Sequence, residues 1–168
     1  IGLILIYGVI AKIFGVWIVP YLSPIFSMLG VIFLYLLLNK LFNKKIKIIS
    51  SLLILINPGF WYFSSKLLMH NILFISLLII SYYFLILSIK NKKIIYFILW
   101  GFFLGLSLIT RTSEFFWILF SIILILIFYK IKINYQILIA FLIFLFVFSP
   151  VFYFNKIHNS SYFKFTYS

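Results

Sequence analysis

The most constraining feature of this sequence is a series of long, continuously apolar runs separated by short clusters of lysine. A helix needs about 20 mostly apolar residues, within a range of about 17 to 25, to cross the hydrocarbon core of a bilayer. Several runs reach or approach that length. Membrane β-strands are disfavoured, because they alternate lipid-facing and lumen-facing residues. We therefore predict an all-α fold, a polytopic transmembrane helix bundle.

Six segments are predicted to span the membrane: Tyr21–Leu38, Ile48–Phe63, Leu67–Ile89, Ile94–Thr110, Phe115–Tyr129 and Gln136–Phe154. The segment Ile1–Val19 is interrupted by Lys12 and punctuated by glycines. It is either a seventh span or, in the interpretation that we favour, a helix lying at the interface. Asn57, Pro58 and Gly59 interrupt the second span, where they are expected to break or kink the helix.

The basic residues indicate a topology rather than a nucleic-acid site. The formal net charge is +13, yet only 9% of the residues are charged, against about 25% in soluble domains. Most lysines fall in loops 40–47, 90–93 and 130–132, which are alternate connections and so lie on one side. The positive-inside rule predicts that this side is cytoplasmic. A nucleic-acid patch needs basic residues on one continuous face, so nucleic acid is rejected as a partner.

The residues available for chemistry are few. The chain has no cysteine, which excludes disulfide scaffolds, Cys-ligated zinc, iron–sulfur clusters and thiol catalysis. Its single acidic residue is Glu114, so any other carboxylate side chain must come from outside these residues. The sequence opens at Ile1 within an apolar run and without an initiator methionine. We therefore expect residues 1–168 to be a single membrane domain and an internal piece of a longer chain.

Arg111 and Glu114 lie at a hinge between two predicted spans and allow two interpretations. In the first, Arg111 follows the C-terminal end of one helix, Ser113 caps the next, and Glu114 suits the positive end of its dipole. In the second, the guanidinium of Arg111 binds a phosphate, because its planar fork of donors matches phosphate oxygens. Both interpretations stay open on the residues alone.

The two histidines do not indicate a metal site. His70 lies near the outer end of the span Leu67–Ile89, and His158 is distant in sequence. Zinc sites normally take three or four His, Cys or carboxylate ligands. We predict that these residues bind no metal and no other cofactor by themselves.

The order of the motifs resembles that of a known family. The run Leu104–Phe115, LGLSLITRTSEF, is similar to the small-residue helix ending in Thr-Arg of the protein O-mannosyltransferase-like, GT-C type glycosyltransferases, which depend on polyprenyl-phosphate sugars. Further similar stretches occur in the family's order: Phe14-Gly15, Val19–Pro24, Asn39–Phe42, Asn57-Pro58, Ser64-Ser65, Met69–Asn71, Ser149-Pro150, Tyr153, Asn155 and Ser160–Tyr167. The serine and proline that flank the family's histidine are replaced beside His70.

The resemblance implies transfer of a hexose or pentose from a polyprenyl-phosphate donor to an acceptor at the external membrane face. It implies that Arg111 contacts the phosphate, and that His70, Tyr153 and Asn155 line the substrate site. The family's acidic catalytic loop lies upstream of the matched segments, so no catalytic residue is assigned here. The implied partners are the lipid bilayer and the donor, and the expected location is a bacterial or archaeal cytoplasmic membrane rather than the endoplasmic reticulum.

Other functions of a polytopic membrane protein stay open. Ion-coupled transporters commonly carry ionisable residues at mid-membrane, whereas the six predicted spans contain no Asp, Glu, Lys or Arg. A lipid flippase or a non-catalytic membrane subunit is compatible with the same residues.

Overall fold

The computed structural model describes residues 2–66, 68–131 and 134–159, except the side chains of residues 158 and 159. These residues form eight α-helices and no β-strand, which confirms the predicted all-α membrane bundle. The helices are α1 (Gly2–Phe14), α2 (Val19–Leu41), α3 (Lys44–Ile56), α4 (Pro58–Ser65), α5 (His70–Asn91), α6 (Ile94–Thr110), α7 (Phe115–Phe128) and α8 (Tyr135–Asn159).

The described helices include fewer complete spans than the six predicted. By length and composition, α2, α5 and α8 can each cross a bilayer, and the count rises to five if each of two bent pairs is one span. The pairs are α3 with α4, bent by 59°, and α6 with α7, bent by 118°. The count differs from six because the bent α6–α7 pair counts as one span at most, whereas two were predicted there; the two helices have 17 and 14 residues. They extend about 26 and 21 Å, less than the hydrocarbon thickness of about 30 Å.

α5 is the central helix of the bundle. In its most apolar window 67% of the residues are buried, against 22% in α2 and α8. Phe33 of α2 packs against Tyr83 of α5 with ring centroids 5.3 Å apart, and Lys90 donates to the carbonyl of Lys40, so the two helices run parallel. α6 runs back along α5, where Phe103 stacks on Phe84 at 5.6 Å.

α6 and α8 pack closely and in parallel. A Cβ on Gly101 would overlap the carbonyl oxygen of Ala140, and a Cβ on Gly105 would lie 2.8 Å from the side chain of Val147. Small residues at such contacts let helix backbones approach each other, which supports helix association within lipid.

The helix directions give the bundle two distinct sides. α2 and α5 end, and α6 and α8 begin, on the lysine-rich side, which carries Lys40, Lys90, Lys92 and Lys93. The opposite side, where α5 begins and α6 ends, is called the arginine side. Lys132, from the third predicted loop, lies outside the described residues.

The chain breaks between α3 and α4 at Asn57, as predicted. The Asn57 side chain accepts hydrogen bonds from the backbone N–H groups of Gly59, at 2.8 Å, and Phe60, at 3.4 Å. It thereby satisfies donors that a helix N-terminus leaves unpaired. Pro58 fits the first helical position, where no N–H is needed.

The described part of α1 packs at one end of the bundle. It covers the 13 residues Gly2–Phe14. Gly2 packs against the backbone of Ile109 at the end of α6. The hydroxyl groups of Tyr7 and Ser23 lie 3.1 Å apart, near the start of α2. Both neighbours are on the arginine side.

Candidate functional site

The break between α6 and α7 shapes the arginine side. α6 ends at Thr110, whose hydroxyl donates to the carbonyl of Ser107 at 2.5 Å. Arg111 then leaves the helix with φ −144° and ψ 87°. A single 3-10 turn, Thr112–Glu114, leads into α7. Arg111 therefore lies at the point where the chain changes direction between two apolar helices.

Two neighbours on the same turn hold the Arg111 side chain. Its Nη2 atom lies 2.9 Å from Oε1 of Glu114, and the indole N–H of Trp117 donates to the other oxygen of that carboxylate. The three residues are spaced at i, i+3 and i+6, so one turn brings each close to the next. We call them the Arg111–Glu114–Trp117 bracket. The Arg111 side chain is still 35% exposed, and a guanidinium has five N–H donors, so part of it is open to a ligand.

Arg111 also contacts the central helix, α5. Its Cζ atom lies 5.7 Å from the ring centroid of Phe74 on α5. A cation over an aromatic face contributes about 0.5–1 kcal/mol at exposed sites. Phe74 itself is buried. The guanidinium is therefore held between the hinge and the first turns of α5.

His70 begins α5, one helical turn before Phe74. The structure therefore brings His70 and Arg111 to the same end of the α5–α6 pair, and His70 is exposed there. The capping residue, Met69, gives the helix no side-chain hydrogen bond. Next to His70, the side-chain oxygen Oδ1 of Asn71 is buried and has no hydrogen-bond partner in the described part of the chain. A buried acceptor without a partner lowers the stability of the folded state.

Tyr153 and Asn155 do not converge on one point. Both lie near the end of α8, on the arginine side. Residues two positions apart on a helix differ by about 200° around its axis. Accordingly, Tyr153 is 70% exposed whereas Asn155 is 4% exposed. Asn155 faces the bundle and Tyr153 faces away from it.

Some residues named in the sequence analysis lie outside the described part of the chain, and the predicted absence of a metal site concerns the described part alone. No group of three or more His, Cys, Asp or Glu is close enough to hold a metal within the described ranges. The side chain of His158 and the segment Ser160–Tyr167 lie outside them.

The structure corrects one local prediction and adds two residues to the site. Glu114 rather than Ser113 directly precedes α7, because Ser113 lies inside the 3-10 turn. Phe74 and Trp117 were not predicted. The i+3 spacing from Glu114 to Trp117 could have indicated their contact, whereas the distant contact with Phe74 has no local signal.

The fold and its apolar helices define an integral membrane protein with a cation at a helix break. Comparison with protein families adds the class of chemistry: the sequence pattern of the dolichyl-phosphate-mannose-protein mannosyltransferase family matches residues 2–154. The chain belongs to this family of membrane glycosyltransferases. This membership confirms the resemblance to GT-C type enzymes that use lipid-linked sugars. Neither the curated proteins nor the solved structures gave a significant match.

Proposed function

We propose that the protein transfers a sugar from a polyprenyl-phosphate donor to an acceptor at the external face of the membrane, with Arg111 as the phosphate contact. The observation that carries this proposal is the position of Arg111. Its partly exposed guanidinium is held at a helix break, at one end of the helix bundle. The family to which the chain belongs uses sugars linked to a lipid phosphate.

Arg111 suits the charge changes of this reaction. The bond between the anomeric carbon and the phosphate oxygen breaks, and the acceptor oxygen bonds to that carbon while its proton passes to a base. Negative charge then grows on the departing phosphate, where a positioned cation stabilises the transition state. Glu114 and Phe74 hold the guanidinium, so less freedom is lost when the phosphate binds.

Glu114 is assigned a positioning role rather than the role of general base. It is the single acidic residue of the sequence, and its carboxylate is already engaged by Arg111 and Trp117. We assign the general base to the acidic loop that the family resemblance implies outside the matched segments. The proposal needs no metal or cofactor held by these residues.

The start of α5 is the proposed place of the sugar or its phosphate oxygens. His70 is exposed there, where it can contact the donor. Among the α8 candidates, burial toward the bundle supports Asn155 more than Tyr153 as a lining residue. The roles of His70, Tyr153 and Asn155 as lining residues are part of the proposal, as is the role of Arg111.

The lysine distribution supports the orientation of the proposal. The lysine-rich loops of membrane proteins stay on the cytoplasmic side of the membrane. The lysine-rich side is therefore assigned to the cytoplasm of a bacterial or archaeal cell, and the arginine side to the exterior.

The orientation has a direct test, because the 168 residues contain no cysteine. Single cysteines replace exposed residues on the two sides, Ser113→Cys on the arginine side and Asn91→Cys at the end of α5. An impermeant maleimide added to intact cells should label Ser113→Cys and leave Asn91→Cys unlabelled until the cells are opened. Labelling of Asn91→Cys alone in intact cells would reverse the orientation and remove the external site.

Transfer itself is tested with the full chain in proteoliposomes. Donors consist of a polyprenyl phosphate that carries a radiolabelled hexose or pentose, and cell extracts fractionated into lipid, glycan and protein supply the acceptor. We expect label to move from the donor to one acceptor fraction while free polyprenyl phosphate appears. Movement of intact donor between leaflets without release of polyprenyl phosphate would favour a flippase instead.

A further inference from the structure

The loops at the lysine-rich end of the bundle meet one another, although they are far apart in the sequence. Lys90, at the end of α5, donates to the backbone carbonyl of Lys40, at the end of α2. That carbonyl lies in the last turn of a helix, where no intrahelical donor is available. Gln136, at the start of α8, donates to the carbonyl of Lys92 at 3.1 Å. The α2–α3 and α5–α6 connections and the start of α8 therefore come together.

Seven lysines lie at this junction, and we call them the lysine face: Lys40, Lys44, Lys45, Lys47, Lys90, Lys92 and Lys93. All except Lys47 are exposed. The Lys47 Nζ atom donates to Oδ1 of Asn39 at 2.5 Å and lies 4.9 Å from the ring centroid of Tyr35, so its side chain is held against α2. The sequence assigns these lysines to two separate loops, and the fold joins the two loops.

The charge of the lysine face has no counter-charge among the 168 residues. Their single acidic residue, Glu114, is paired with Arg111 at the opposite end of the bundle. Adjacent lysines such as Lys44 and Lys45 repel each other, because salt screens charges fully only beyond about 8 Å at physiological ionic strength. An anion bound at the lysine face would offset this repulsion.

The depth of the lysine face limits which anion can bind there. α2 and α5 are long and apolar enough to cross a bilayer, and the lysines lie at or directly after their ends. The connections to α3 and α6 consist only of residues 42–43 and 92–93. Such short connections keep the ammonium groups at the level of the lipid headgroups, to which lysines at helix ends extend. The phosphates of the adjacent leaflet are therefore the nearest anions.

We infer that the lysine face binds anionic phospholipid headgroups of the leaflet that it borders. The ligand is a phospholipid with net negative charge, such as phosphatidylglycerol, whose phosphate contacts several ammonium groups at once. Clusters of about four to eight basic residues next to a membrane helix are typical of this recognition. The inference depends neither on Arg111 nor on sugar transfer. It also goes beyond topology, because a purely topological role requires the charges but no preference among lipids.

Fluorescence quenching measures which lipids gather beside the lysine face. Asn91→Cys places a fluorophore between Lys90 and Lys92, after any cysteine elsewhere in the full chain is replaced by serine. The full chain is placed in phosphatidylcholine nanodiscs that contain a small fraction of nitroxide-labelled phosphatidylglycerol or, in a parallel sample, nitroxide-labelled phosphatidylcholine. We expect the anionic lipid to be enriched about fivefold or more over the neutral one, the effect of a single lysine near such a headgroup.

Removing the charges should remove this preference. Lys90 keeps its contact with Lys40 in a variant that carries four substitutions: Lys44→Gln, Lys45→Gln, Lys92→Gln and Lys93→Gln. The ratio of the two lipids beside the fluorophore should then return to about one. The matched control is Lys12→Gln with Lys66→Gln, which removes two exposed lysines outside the lysine face and should leave the enrichment unchanged.

Salt dependence provides a second measurement on the chain with all its lysines. The Debye length falls from about 10 Å at 0.1 M to about 3 Å at 1 M ionic strength, so the enrichment should decline over that range. Equal quenching by the two lipids at low salt would overturn the inference and leave the lysines a topological role alone. A preference that survives in the four-lysine variant would also overturn it. Displacement of phosphatidylglycerol by single-stranded DNA at equal phosphate concentration would point to nucleic acid instead.

Discussion

Arg111→Ala is expected to lower sugar transfer by about 10²–10³-fold while the protein still inserts into the membrane. The magnitude is that of removing one positioned group that stabilises developing negative charge. Arg111→Lys should recover part of the activity, because it keeps the charge but loses the planar fork. Initial rates at saturating and at limiting donor separate the effect on kcat from that on KM.

The matched control is Lys66→Ala, which removes another cation from the arginine side. The Lys66 Nζ atom lies 4.5 Å from the ring centroid of Tyr62 and is not part of the bracket. We expect Lys66→Ala to transfer at nearly the normal rate. Thermal unfolding in detergent checks that Arg111→Ala, which leaves Glu114 without its ion pair, remains folded. Near-normal turnover of a folded Arg111→Ala protein would remove the phosphate role.

Gly101→Ala is expected to destabilise the bundle more than a single methyl group suggests. Its Cβ would overlap the backbone carbonyl of Ala140, which cannot move aside as a flexible side chain can. Overpacking of this kind costs about 1–3 kcal/mol. The midpoint of thermal unfolding in detergent and the yield of monodisperse protein measure the loss.

Gly8→Ala is the control for this substitution. Nothing lies within 4 Å of a Cβ added to Gly8, which is also inside a helix. Alanine there should be neutral or stabilise slightly, by about 0.5–1 kcal/mol, because glycine loses more conformational freedom on folding. Equal unfolding midpoints for the two variants would contradict the close approach of α6 and α8.

Features set by local sequence were predicted well. α6 occupies Ile94–Thr110 as expected, since charged residues flank an unbroken apolar run. The break at Asn57 was predicted because its side chain and Pro58 act within a few residues. The span count was less accurate, since the angle between α6 and α7 depends on how the hinge packs and not on apolarity.

The candidate site shows the same division between local and distant contacts. Arg111 was singled out because a cation between two apolar runs is visible in the sequence. Its contact with Phe74 joins residues that are far apart in the chain, and no periodicity indicates it. The opposite orientations of Tyr153 and Asn155 could have been predicted, because a spacing of two on a helix places side chains on opposite faces.

The pairing of α6 with α8 has a consequence for biogenesis. α7 separates these two helices in the chain, so during synthesis Gly101 and Gly105 emerge well before Ala140 and Val147. Until α8 leaves the ribosome and enters the bilayer, lipid tails must cover the glycine stripe of α6. Pairing of α6 with α8 therefore follows the insertion of both helices, and nascent chains truncated before α8 should be degraded faster than longer ones because α6 lacks this partner.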